Sequence, residues 1–157
     1  MKNKPPLADV NIVRIVQNYY DAVDSLDGDR LAGLYYPAPT TLLQFNADEP
    51  IMTIDAIREF TNGFGQALAG IEHTKVEVWT NPLMGDVVPV DLLPGRPASS
   101  VTVVSTALPI FSVGEGAALK RIALPATSIF TIDVASEKFI SVHNMFDISK
   151  VYAAVQG

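Results

Sequence analysis

The 157-residue chain has two histidines, His73 and His143, and no cysteine. Without thiols it can form no disulfide, thiolate nucleophile or thiolate metal site. A buried aspartate beside a histidine would hold the imidazole in one tautomer, suited to acid–base work near neutral pH. Among the aspartates, Asp24 has an informative position, four residues after Tyr20 and four before Gly28. Val13, Val16, Tyr20 and Val23 recur at spacings of three and four, which marks one face of a helix, and Asp24 falls beside that face. Near the C-terminus, alternation puts Val142, Asn144 and Phe146 on one face of a strand, with Ser141, His143, Met145 and Asp147 on the other. Asn144 is then a polar group on an otherwise apolar face. No glycine-rich phosphate loop, nucleophile elbow or EF-hand pattern is present.

The elements that must carry these residues fall in a clear order. Residues 1–7 are polar and proline-containing and are expected to be flexible, and residues 8–157 form one domain. Asp9 is placed to cap the first helix, and Asp27-Gly28 breaks it. A shorter helix, Asp29 to about Tyr36, ends before Pro37 and Pro39. Thr40 to Phe45 reads as a strand and Asn46 to Pro50 as a turn. A further helix starts near Thr53, with Ile54, Ile57, Phe60, Phe64 and Leu68 on its apolar side, and Gly63, Gly65 and Gly70 loosen and stop it.

Beyond Gly70 the period becomes two. His73 to Thr80, Ser100 to Ser112, Leu119 to Asp133 and Lys138 to Phe146 read as strands. Asn81 to Ala98 holds four of the eleven prolines and reads as a long loop. Val113 to Ala118 reads as a hairpin turn. Trp79, in alternation with His73, lines a pocket mouth or covers a subunit interface. Helices followed by long strands make an α+β chain.

Bulk composition excludes several classes. Apolar residues are 48% and charged residues 18%, the balance of an ordinary folded domain. Folding would bury roughly 70% of the surface of a chain this long. The net charge is −6, and the longest basic run is Lys120-Arg121, so nucleic-acid binding is not expected. Nothing approaches the roughly 20 apolar residues of a membrane span, and no apolar leader follows the basic N-terminus. The expected location is the cytoplasm.

The element order resembles the nuclear-transport-factor-2-like fold, and the local sequence agrees from about Val13 to Val155. Val16-Gln17-Asn18-Tyr19 with Asp27-Gly28-Asp29 resembles the first helix and turn of ketosteroid isomerases, and Asp55 to Phe60 resembles their third helix. Phe139 to Asp147 resembles the final strand of SnoaL-like proteins. The resemblance implies a cone-shaped, curved antiparallel sheet wrapped by N-terminal helices around a pocket. It also implies that the Val142–Asn144–Phe146 face points into that pocket and that two copies pair through the sheet. With His143 then facing outward, the two histidines are apart, against a histidine metal site.

Because this superfamily holds isomerases, dehydratases, cyclases and non-catalytic binding proteins, function rests on the pocket. Against ketosteroid isomerases, Tyr19 matches the tyrosine that polarises the substrate, but Gln44 and Ser128 stand at the two aspartate positions. Ala22 to Leu31 resembles the scytalone dehydratase stretch with a catalytic aspartate, at Asp24. Glu72-His73-Thr74 resembles its catalytic-histidine segment, although Val23 replaces a tyrosine of that family. The resemblance therefore implies Asp24 and His73 as an acid–base pair, with Tyr19, Tyr20, Gln44, Ser128, Asn144 and Phe146 holding the ligand. The bland alternatives are a solvated Asp24 in the last turn of its helix, a partly exposed His73, and an Asn144 that bonds only a neighbour. The function implied is cofactor-independent proton transfer (isomerisation, cyclisation or dehydration) on a small apolar molecule. The alternative is a binding or dimeric interaction module of the same fold.

Overall fold

A computed structural model describes residues 9–37, 41–80, 97 and 100–157. The expected flexible segment 1–7 and nearly all of the expected loop 81–98 lie outside the described residues.

Helix α1 spans Val10–Asp24, and the Asp9 side chain accepts a hydrogen bond from the Asn11 amide at its start. Its buried side is Ile15, Val16, Tyr19, Tyr20 and Ala22, whereas Val13 is exposed. The buried face is therefore turned slightly from the one the valines suggested, toward the tyrosines. Leu26 in the left-handed region ends this segment, and α2 (Gly28–Ala32) begins with Asp27 accepting from the amides of Asp29 and Arg30. That helix is shorter than expected. Its continuation instead bonds to a strand, with Tyr36 donating to Phe139 O and Phe139 donating to Leu34 O.

Strand β1 (Leu42–Phe45) and the two-residue β2 (Ile51–Met52) precede α3 (Ile54–Ala67). Four long strands and one short one follow. They are β3 (Gly70–Thr80), β4 (Ser100–Val113), the short β5 (Lys120–Ala123), β6 (Ala126–Asp133) and β7 (Lys138–Met145). The strand expected over 119–133 is thus broken at Leu124-Pro125, since proline cannot donate to a ladder. Both pieces still pair with the same edge of β4. A C-terminal helix, α4 (Ser149–Gln156), was not anticipated, and it buries Val151 against Leu68, Phe111, Val113 and Leu124.

The strands form one curved, unclosed sheet in the order β2-β1-β7-β6-β4-β3, with β5 beside β4. It is mixed rather than wholly antiparallel, because β1 runs parallel to β7. The helix-facing side carries the main core, including Val103, Phe130, Ile132, Phe139 and Val142 under α1 and α3. In β3 one extra residue sits between Thr74 and Glu77, with Lys75 at φ 51°. This bulge reverses the alternation, so that Val78 is buried in the core and Trp79 takes the face opposite His73. The nuclear-transport-factor-2-like α+β architecture is present. Among the described residues no helix is long and apolar enough to cross a membrane.

Candidate active site

The site begins where α1 ends. A carboxylate at a helix C-terminus meets the negative end of the helix dipole, so Asp24 needs donors. Strand β3 supplies two from one residue. The His73 backbone amide donates to Asp24 Oδ2 at 2.9 Å, and His73 Nδ1 lies 2.5 Å from Asp24 Oδ1. The Asp24 side chain is 25% exposed and that of His73 10%, so the pair sits largely out of bulk water. An ionised Asp24 can only accept, which places the proton of a neutral imidazole on Nδ1 and leaves Nε2 as a free acceptor.

The ring plane is set from the other side. Tyr20 lies four residues before Asp24 on the same helix, and its ring packs on that of His73 at 4.5 Å with a 31° tilt. Its hydroxyl donates to Ser105 Oγ at 3.0 Å. Burial raises the Tyr20 hydroxyl above the ordinary tyrosine range; hydrogen bonds with Ser105 and Ser128 partly oppose this, and the nearby Asp24 charge adds to it.

Across the sheet, Ser105 on β4 is the register partner of Ser128 on β6, which is the partner of Asn144 on β7. Ser128 Oγ donates to Asn144 Oδ1 at 2.7 Å. The Asn144 amide nitrogen has no acceptor among the described residues, so its N–H groups remain for a ligand. Further in, the hydroxyls of Tyr19 and Tyr35 lie 2.8 Å apart. Burial pushes both upward, Tyr35 well above the usual value, so neither ionises in the working pH range.

These groups surround a cavity of about 630 Å³, its opening included, lined by Tyr19, Tyr20, His73, Ser128 and Asn144 among mainly apolar side chains. Phe146 also lines it, together with Phe45, Phe60, Phe64 and Phe111. Among the described residues no lysine or arginine lines it. Thr61 lines it too, but its hydroxyl donates to Ile57 O within α3. Among the described residues no group of three His, Asp or Glu side chains is placed to hold a metal ion.

The expected residues are thus mostly brought together. Gln44 is the exception. It lies on the face of β1 opposite Leu43 and Phe45, which line the cavity, and its amide donates to Asp48 O at 2.9 Å. Strand phase decides this, since odd-numbered residues of β1 point inward. His143 is not among the lining residues, and its Nε2 lies 2.6 Å from Asn46 O. Ser105 escaped the sequence reading. Its signal was present as a serine between Val103 and Ala107 on the buried phase of β4, but the register to Ser128 was needed to see its use.

With this geometry in place, comparison with known proteins is informative. The sequence model of the nuclear transport factor 2 (NTF2) domain matches residues 13–92, just over half of the chain. No curated protein matches. Among solved structures, a candidate SnoaL-like polyketide cyclase from Shewanella denitrificans superposes with a TM-score of 0.67 at 12% identity, over 94% of this chain and 98% of that one. A candidate dehydratase of the NTF2-like family from Streptomyces avermitilis gives 0.64 at 11% identity, covering 88% and 95%. A candidate scytalone dehydratase from Novosphingobium aromaticivorans gives 0.63 at 16% identity, covering 87% and 82%. At these identities the structural likeness speaks to fold. Taken with the domain match, it shows that this chain belongs to the nuclear transport factor 2 (NTF2) domain family.

Proposed function

We propose that this protein is an enzyme that moves a proton on a small, uncharged, largely apolar organic molecule held in the cavity. The observation that carries this reading is the double contact between Asp24 and His73, 2.9 Å to the backbone amide and 2.5 Å to Nδ1. The contact that satisfies this carboxylate also fixes the tautomer and direction of a ring that lines the cavity.

In the proposed reaction Nε2 of His73 takes a proton from a carbon beside a substrate carbonyl. The C–H electron pair moves into the carbonyl, and the Asn144 N–H groups stabilise the oxyanion that forms. Asp24 stabilises the imidazolium. The imidazolium then returns the proton to the far carbon, where a neighbouring C=C makes the intermediate a dienolate, or gives it to a departing β-hydroxyl as the carbon–oxygen bond breaks. The first outcome is an isomerisation, and the second a dehydration that releases water. Attack of the same enolate on a second carbonyl of the substrate, with the imidazolium protonating the alkoxide that forms, would be a cyclisation. The similar folds described as cyclases and dehydratases support this class of chemistry.

The test is a screen of cyclic ketones and β-hydroxy ketones for turnover, followed by Asp24→Asn and His73→Gln variants. Each should lower kcat by about 100- to 10,000-fold with the fold intact by circular dichroism. Ligand binding without turnover would identify a carrier instead. Turnover unchanged in both variants would remove the pair from the mechanism.

A further inference from the structure

All seven phenylalanines fall into two groups, and one group closes on itself. Phe130 and Phe139 pack with Tyr19. The other five form a ring of rings. Phe45 meets Phe60 at 5.3 Å, Phe60 meets Phe64 at 5.5 Å, and Phe64 meets Phe111 at 6.4 Å. Phe111 then meets Phe146 at 5.6 Å, and Phe146 returns to Phe45 at 5.9 Å. The circuit draws on β1, α3, β4 and the residue after β7, so no single element's periodicity produces it. Phe60 and Phe64 are one helical turn apart. Phe111 and Phe146 reach each other past β6, which begins at Ala126, a small cavity-lining residue just after the Leu124-Pro125 break.

Every member of the circuit lines the cavity. Four of the five are only partly buried although they are ringed by other aromatics. The collar therefore serves twice: its rings pack against the core clusters and also form part of the cavity wall. Adjacent pairs differ in orientation, from 20° for Phe111 with Phe146 to 84° for Phe64 with Phe111. A guest therefore meets both ring faces and ring edges, the two partners an aromatic quadrupole prefers. The polar groups on the lining include His73 Nε2 and the Asn144 N–H groups, which have no partner among the described residues, and Asn144 is two residues before Phe146. Among the described residues no lysine or arginine lines the cavity, so a carboxylate or phosphate would enter without a fixed cationic partner, at a desolvation cost.

We infer that the collar of Phe45, Phe60, Phe64, Phe111 and Phe146 is a specificity element that selects a flat, uncharged aromatic ring system over a saturated one of the same size, with a carbonyl directed to Asn144. This inference rests on the proposed function only for the direction of the carbonyl. The selection itself is a binding property.

The test is calorimetric titration of the intact protein with three probes: 2-acetylnaphthalene, its fully saturated acetyldecalin counterpart, and 2-naphthoate. The aromatic ketone should bind about tenfold more tightly than the saturated one, and the carboxylate more weakly than the ketone. Phe64→Leu and Phe146→Leu should each reduce the aromatic preference while leaving acetyldecalin affinity within about threefold. Equal affinity for the two ketones, preference for the saturated one, or no binding of either would overturn the inference. Tighter binding of the carboxylate would overturn the uncharged-ligand part. Asp24→Asn separates the two claims: it should abolish turnover and leave the aromatic preference in place. Turnover retained in Asp24→Asn with the preference intact would remove the mechanism and spare the collar, whereas wild-type turnover without any aromatic preference would sink the collar and spare the mechanism.

Discussion

Asp24 occupies a position that a helix makes unfavourable for a negative charge, and two donors from His73 offset this. The resemblance nominated the pair, and the spacing from Tyr20 placed Asp24 beside the buried face; neither gave the distance between the two groups. Gln44 shows the opposite case, where a homologous position was carried over without the strand phase that turns its side chain outward. Tyr20 was read as a ligand-holding residue, but its hydroxyl is engaged by Ser105 and its ring by His73. A prediction at this scale concerns the buried hydroxyls. Burial raises Tyr19, Tyr20 and Tyr35 in the folded state, so the folded form keeps protons that the unfolded form releases near pH 10. Their contribution to stability is fully present below about pH 10 and is lost as pH rises toward their folded values. Tyrosinate absorbance should therefore show these three titrating only with unfolding, and Tyr19→Phe should flatten the alkaline loss of stability. Early titration of all five tyrosines in the folded protein would contradict this.

At the scale of elements, the junction between α1, α2 and α3 fixes where Asp24 and the cavity-lining helix faces lie. Gly28 opens α2 beneath α3, and its amide donates to Asn62 Oδ1 at 2.9 Å. A Cβ there would stand 2.4 Å from Arg58 O and 2.5 Å from Asn62 Oδ1. Gly28→Ala must push the helices apart and should cost about 1–3 kcal/mol in chemical denaturation. A loss below the precision of the measurement would show that the junction is looser than drawn. The sequence marked Gly28 as a helix break, yet the close approach of α3 that requires glycine is a tertiary fact. The bulge at Lys75 was hidden for the same reason. A period-two reading assumes an unbroken ladder, and an extra residue in the left-handed region changes the facing of Trp79 without changing local composition. Helix α4 was missed because its eight residues bury only Val151 fully, too weak a periodic signal next to the strand before it.

At the scale of the molecule, the helices-then-strands order was legible, as was the nuclear-transport-factor-2-like architecture. The parallel pairing of β1 with β7 was not, since strand direction depends on the route between distant elements. The sheet has helices on one face, and the other presents Val104, Leu108, Ile110, Ile129 and Met145, all partly exposed. Trp79 joins that face, and its buried Nε1 has no hydrogen-bond partner among the described residues. We propose that two copies pair through this face, burying it as such surfaces require. Sedimentation at micromolar concentration should show a dimer, and Trp79→Ala should weaken it; monomer throughout would end the proposal. In the proposed function the fold presents His73 Nε2 as a base toward a mainly apolar cavity. The most direct measurement is the long-range imidazole ¹⁵N spectrum of His73, with the ring neutral, in the wild type and in Asp24→Asn. The account predicts a single tautomer protonated at Nδ1 in the wild type, giving way to a mixture or the other tautomer in the variant. A ring protonated at Nε2, or one averaging freely between tautomers, in the wild type would contradict it.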